Sequence, residues 1–284
     1  MMKSIGILTD DSVQFPRREF PGAELVRKIP LSISISKKTI SNVSSTEISG
    51  LPNSTYSSNQ PSISPPTTKY LVNLLIEIKQ EFDEIIIILP SKFLSPLYAY
   101  TKRIMETLSE KNKFFLFDSG AFSFGLGMLI IEVANELSKG SRYSKISQNI
   151  RFLIPQIFGV FCCPNLSYMN KVNFLDAPQA VALDFIGSVP IFNLEDGKFS
   201  SLVKIKKMKN YFLYFEEFID EFEQPKEIIA INGNPSRFKE LKALQVHCEE
   251  QFPKTRFSHQ LMNIATASII GPKAIGVFVL DKTT

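Results

Sequence analysis

Ser91 and Ser95 follow closely on an apolar run, "EIIIIL" at residues 84–89, and Ser62 and Ser64 stand just ahead of Pro65 and Pro66. Ser95 is itself followed by Pro96. A serine ahead of a proline is a helix-start signal. The hydroxyl can cap the first backbone N–H groups, and proline suits the first turn, where an N–H is not needed. Such helix tips carry unpaired donors and a partial positive charge, worth ~0.3–1 kcal/mol toward an anion at an exposed site. Two of them beside a strand end could hold an anionic or oxygen-rich group. The ordinary use of the same pattern is that each serine only caps its own helix, and spacing alone leaves both open.

A phosphate is not the expected anion. The chain has neither a G-x-x-x-x-G-K-[ST] loop nor a G-x-G-x-x-G turn, and Lys92 is the sole base in the helix-start segments. "GAFSFGLG" (120–127) has the wrong spacing, and its Gly125 and Gly127 read as allowing close helix packing. A hydroxyl-rich, weakly charged site suits a carboxylate better. Catalysis is poorly supplied. With only His247 and His259 present, a Ser-His-Asp triad would need one of them, and both sit in segments that read as surface or capping positions. There is no G-x-S-x-G elbow. Three cysteines, two adjacent (Cys162, Cys163) and one distant (Cys248), make neither a disulfide framework nor a zinc site. No catalytic residue, metal or cofactor is expected.

The elements that must position these serines read clearly. "SIGILTDDS" (4–12) is a buried strand ending in Asp10, Asp11 and Ser12, and "KIPLSISISKK" (28–38) alternates as a half-exposed strand. Residues 39–66, rich in Ser, Thr, Asn and Pro, read as a long loop. Helices are expected over 68–82, 96–110, 124–140 and 145–157, with strands at 84–89 and 113–119 between them. This β-loop-α-β-α-β-α order predicts an α/β, Rossmann-like parallel sheet with helices on both faces. Asp10, Ser91 and Asp118 then fall at the strand ends where such sheets bind ligands. The second half reads as another α/β unit. It has a strand at 156–163, a helix near 178–187 and a hairpin over 190–205 turning at "EDG". A helix at 208–223, a strand at 226–232, a helix at 236–250 and a last strand at 274–280 follow. The expected domains are 1–155 and 156–284.

Composition narrows the partners. The chain has 284 residues and a net charge of +4, too mild to suggest nucleic acid. The basic cluster "KIKKMKNY" (204–211) reads as a solvated face or a partner patch. No apolar run approaches the ~18–20 residues of a membrane span. The opening "MMKSIGILTDD" lacks the apolar core and cleavage site of a signal peptide, so the cytoplasm is the expected compartment.

Seven segments in order resemble the DegV family, two-domain bacterial fatty-acid-binding proteins. "IGILTDDSVQFP" is similar to its opening strand and Asp-Ser turn, "SISPPTTKYL" to its TSQPSPxEF segment, and "SKFLSPLY" to SSxLSGTY. "LFDSGAFSFGLGML" resembles the family's Asp-Ser strand and Gly-containing helix start. "LSYMNKVNFL" stands where LEYLKKGGRI is expected. "VPIFNLEDGKF" resembles the Pro-Ile-Leu…DGK hairpin, and "SIIGPKAIGVFV" takes the place of THxGPGALGI. The match spans residues 4–280. The resemblance implies a long-chain fatty acid held between the domains and no chemistry by the protein itself. Its carboxylate would meet Ser62, Ser91 and Ser95, and a separate fatty acid kinase subunit is the candidate partner.

The same resemblance sends the tail into the second domain. There Phe158, Val160, Phe161, Phe185, Ile186, Ile191 and Phe192 are the candidate walls, although each also reads as plain core. A 16-carbon tail offers roughly 10 kcal/mol of gross transfer energy at ~0.8 per CH₂, so the head contacts set position more than affinity. The chain departs from the pattern at Ile63, Lys92, Pro96 and Leu97. Val172, Asn173 and Phe174 replace GGR, Ile269 replaces His, and Lys273 replaces the last Gly. These changes bear on the kinase partnership more than on the lipid pocket. With Ile63 and Leu97 at the rim, they also open the site to a less polar head such as an ester or alcohol. The alternatives are a scaffold acting through a protein partner without lipid and, behind it, a serine hydrolase.

Overall fold

The computed structural model describes residues 4–36, 38–41, 43, 48–52, 55, 60–169, 189–205 and 211–281. In the first half, β1 (Ile5–Asp10) and β6 (Glu84–Leu89) are buried along their whole length. Unbroken apolar runs of this kind need cover on both faces, which a parallel sheet between helices provides. The sheet order is β2 (Val26–Ile29), β1, β6, β7 (Phe114–Asp118), all parallel. Helices α1 (Thr68–Glu81), α2 (Leu97–Glu106), α3 (Ser123–Ser138) and α4 (Tyr143–Leu153) fall in the expected stretches.

The alternating stretch 28–38 is not one strand. Pro30 has no N–H to continue a ladder, and the chain leaves β2 there to start β3 (Ser32–Ile35) in a different sheet. That sheet is small and antiparallel, in the order β4 (Lys38–Ile40), β3, β5 (Ser62–Ser64). It occupies both ends of the segment expected to be loop. Ile33 pairs with Ile40 on one side and Ile63 on the other, so three isoleucines set a register that the surrounding serines hide.

The second half forms a mixed six-stranded sheet in the order β10 (Lys198–Ile205), β9 (Val189–Glu195), β8 (Ile157–Cys162), β13 (Ile275–Asp281), β11 (Pro225–Asn232), β12 (Arg256–Leu261). Only β11 and β12 run parallel. The "EDG" turn joins β9 to β10 with Asp196 and Gly197 both at positive φ (50° and 78°), the geometry of a two-residue hairpin loop. Its described helices are α5 (Leu166–Met169), α6 (Tyr211–Asp220), α7 (Phe238–Gln251) and α8 (Ile264–Ile270). The sequence reading did not anticipate β12 or α8, and the helix expected near 178–187 lies outside the described residues.

Helix α3 joins the halves. It is buried on nearly every side and packs on β1 and β6 of one sheet and on β8 and β13 of the other. Its glycines make this possible. A Cβ on Gly127 would stand 2.0 Å from the Gln14 carbonyl oxygen, and one on Gly125 would stand 3.0 Å from the Phe278 ring. Arg17 and Glu227 add an ion pair at 2.8 Å across the halves, and Lys226 pairs with Glu132 of α3. The far face of the second sheet buries Val160, Cys162 and Ile191 with Phe215 and Ile219 of α6 and Leu241 and Leu244 of α7. Among the described residues no helix is long and apolar enough to cross a membrane.

Candidate functional site

Strand β1 carries Asp10 to its C-terminal end, where the chain folds back. The Ser12 N–H and Oγ both donate to Asp10 Oδ1, at 2.9 and 2.6 Å. The other carboxyl oxygen, Oδ2, is buried with no hydrogen-bond partner among the described residues. Burial pushes the Asp10 carboxyl up to about 6. The Ser12 donors and Lys28 pull against it, and neighbouring Asp11 pushes with it.

Asp10 and Ser12 line a small cavity of about 30 Å³ between the sheets. Leu31 and Ile63 close it from the small sheet and its approach. Pro90, Leu94, Ser95 and Pro96 come from the segment after β6, Phe122 and Ser123 from the start of α3, and Thr266 and Ile269 from α8. Its polar wall is cross-linked. Ser123 Oγ donates to Gln14 Oε1 (3.1 Å) and accepts from Thr266 Oγ1 (2.8 Å). The Asn263 N–H donates to the same Gln14 oxygen (2.8 Å), and Asn263 Nδ2 reaches the Ser12 carbonyl (3.1 Å). Ser123 holds a positive φ of 53°, a strained conformation for a residue with a Cβ and one that clusters at functional sites.

The three serines singled out from sequence do not converge. Ser95 lines the cavity. Its Oγ accepts from the Leu97 N–H at 3.3 Å, and α2 begins at Leu97, one residue later than the Ser-Pro pattern suggests. Ser91 is fully buried, and its Oγ donates to the Gly197 carbonyl at 2.6 Å, gripping the hairpin turn of the other half. Ser62 is exposed on β5 and caps no helix; Thr67 caps α1, accepting from the Tyr70 N–H at 3.4 Å. Strand alternation explains this, because Ile63 faces the cavity and its neighbours Ser62 and Ser64 face away. Ser12, Ser123 and Thr266 are the hydroxyls that the sequence reading missed. They lie up to 254 positions apart in the chain, and only the Asp10 strand end marked the place.

A larger groove of about 970 Å³ runs along the far face of β8 and β9, within the ~300–1,000 Å³ range of ligand pockets. Phe158, Val160 and Ile191 line it, with Tyr214, Phe218 and Phe222 opposite. Phe161 and Phe192 point to the other face of the sheet. Phe161 packs against Phe122, Phe199 and Phe278, with ring centroids 5.0–5.7 Å apart. Phe185 and Ile186 lie outside the described residues. The groove and cavity are neighbours along the chain. Gly120 and Gly197 line the groove, Pro90 and Phe122 line the cavity, and Ser91, next to Pro90, donates to the Gly197 carbonyl.

The reactive side chains stand elsewhere. His247 of α7 bonds Asp220 at 2.8 Å, and His259 is on the edge strand β12. Neither lines the cavity or the groove. All three cysteines are buried, and burial pushes Cys162 and Cys248 up to about 12 and Cys163 well above the ordinary thiol range. Among the described residues no group of His, Cys, Asp and Glu could hold a metal ion.

Residues 4–282 match the family described as "Uncharacterised protein, DegV family". The chain belongs to the DegV family. A DegV domain-containing protein of Caldanaerobacter subterraneus subsp. tengcongensis is 22% identical, over 99% of this chain and all of that one. This DegV chain also shares its fold with solved relatives. A fatty acid binding DegV family protein from Streptococcus agalactiae superposes with a TM-score of 0.82 at 17% identity, over 99% of this chain and 100% of that one. The Fatty Acid Kinase (Fak) B3 protein of Streptococcus pneumoniae, loaded with linoleic acid, superposes with a TM-score of 0.83 at 12% identity, over 98% and 100%.

Proposed function

We propose that this DegV protein is a non-catalytic carrier of one long-chain fatty acid or an amphiphile of similar shape. In this reading the head lies in the inter-sheet cavity, on Ser95 with Ser12, Ser123 and Thr266. The tail lies in the groove along Phe158, Val160 and Ile191, and Phe161 and Phe192 serve as the packed wall behind. The observation that carries the reading is a hydroxyl-lined cavity and a groove of about 970 Å³ whose linings come close at one place, where Ser91, next to cavity residue Pro90, donates to the carbonyl of groove residue Gly197. In this reading the Ser91–Gly197 contact is the place where the hairpin turn would lift to admit a ligand. Relatives of the same fold that bind fatty acids support the assignment.

Several features argue for carriage over chemistry. Among the described residues lining the cavity there is no histidine, and the one carboxylate, Asp10, is bonded to Ser12 alone, so the cavity lacks the serine–histidine pair of a hydrolase. Ile63, Pro96 and Ile269 replace hydrogen-bonding or small family residues on the cavity wall, so a neutral oxygen head fits as well as a carboxylate. Pro96 is exposed and Ser95 half-buried, which leaves that side of the head open to a kinase subunit. We place the division between the two halves near residue 155 and the protein in the cytoplasm, with no cofactor.

Calorimetric titration of delipidated protein with C14–C18 fatty acids tests the proposal. Saturable uptake of one molecule per chain is the expected result. A protein that takes up none of them is no lipid carrier, and the scaffold reading, with a protein partner, replaces this one.

A further inference from the structure

The cavity holds one feature that a hydroxyl-lined carboxylate site does not need. Of the twelve residues that line it, Asp10 is the sole carboxylate, and no lysine, arginine or histidine joins it. Its Oδ1 is taken by Ser12, while Oδ2 is buried and has no partner among the described residues. An ionised oxygen in that place repels a second carboxylate and has nothing to accept from. A protonated one, on a residue that lines the cavity, is a donor for a ligand oxygen that reaches it.

We propose that Asp10, carrying its proton, donates from Oδ2 to the head-group oxygen, and that its ionisation weakens the hold, so that pH sets ligand retention. The proposal rests on the lipid-carrier reading and adds its regulation. The proton comes from water and returns to it, and no covalent step is involved. Burial holds the Asp10 carboxyl at about 6, where small changes of pH change its state.

The charged groups that face Asp10 are few. Asp11 adjoins it and pushes its carboxyl up, and Lys28 on β2 pulls it down. On β6 the one charged residue, Glu84, pairs with Ile5 at the other end of β1. The segment after β6 contributes Lys92, which is exposed and pairs with Asp118. The first turns of α3 and the whole of α8 carry no charge, so Asp10 titrates without a strong partner.

Three probes with one acyl length separate the possibilities: methyl palmitate, which only accepts; 1-hexadecanol, which donates and accepts; and palmitic acid. Binding is measured at pH 5 and pH 8 on the wild type and on Asp10→Asn, whose amide keeps an acceptor for Ser12 and sets a permanent donor at the other position. The wild type should lose about tenfold or more in ester affinity between pH 5 and pH 8, as the competent fraction falls, and its affinity for the acid should fall with it. Hexadecanol affinity should change little, and Asp10→Asn should bind the ester with no pH dependence. A flat ester profile in the wild type, or equal slopes in both proteins, overturns the inference and leaves the carrier reading standing. No uptake of any probe at either pH overturns both. If the variant does not fold, the contrast between ester and alcohol in the wild type alone decides.

Discussion

The inter-sheet cavity and the outer groove differ in almost every respect. The cavity has room for about 30 Å³ and draws its polar wall from β1, the segment after β6, α3 and α8, cross-linked through Gln14. The groove has about 970 Å³ and is built mainly from one strand pair and one helix, with Phe158, Phe218 and Phe222 packed as neighbouring rings. Apolar volume supplies binding energy in proportion to the surface removed from water, while a few placed polar groups fix orientation. In the proposed reading the groove would govern how tightly an amphiphile is held, and the cavity which head is accepted and when.

Four substitutions test that division, the largest effect first. Phe122 lies between the two regions, lines the cavity and touches Phe161, Phe199 and Phe278. Phe122→Ala should cost about 4 kcal/mol of stability in urea denaturation. A loss below about 1 kcal/mol would mean that the aromatic block does not hold the halves together.

Asp10→Asn should act in the opposite direction. In the folded protein Asp10 keeps its proton to about pH 6, against an ordinary value of 3.8. The native state therefore binds more protons than the unfolded chain between those values. The stability it contributes is full below about pH 4 and is lost as pH rises through about 6. At pH 7.5 the variant should exceed the wild type by on the order of 3 kcal/mol, and at pH 4 the two should converge. A variant less stable than the wild type at pH 7.5 contradicts this account of the carboxyl.

Arg17→Ala leaves buried Glu227 without its 2.8 Å partner. Burial already raises the Glu227 carboxyl above its ordinary value, and Arg17 opposes that rise. The variant should lose about 2 kcal/mol at neutral pH, and less toward pH 4, where the carboxyl is protonated. Equal losses at both pH values would show that the ion pair is not what Arg17 contributes. Ser91→Ala removes the bond to Gly197 and should cost about 1 kcal/mol. Its more telling readout is stopped-flow ligand release, which should be faster if the hairpin turn closes the passage; an unchanged rate separates the cavity from the groove.

The parts that sequence made legible share a physical character. The run 84–89 read as a strand covered on both faces, "EDG" as a hairpin turn, and Gly125 and Gly127 as allowing close packing, which is where α3 is wedged between sheets. These are local signals. The small sheet was hidden because its register depends on Ile33, Ile40 and Ile63, scattered through a polar segment. Strand β12, "RFSHQL", shows no alternation because it is an edge strand with mostly half-buried residues. In the site, Ser95 announced itself through its proline. Ser62 was read as a helix start and lies instead on β5, where one step along the strand reverses the face and brings Ile63 to the cavity. Ser123 and Thr266 are 143 positions apart and meet only through tertiary packing.

Native mass spectrometry of the protein, purified without added lipid and again after incubation with C14–C18 fatty acids, tests the carrier claim most directly. The account predicts a single adduct of one acyl chain per protein, lost on organic extraction and restored by the acids. A spectrum that stays at the bare chain mass under both conditions would contradict it.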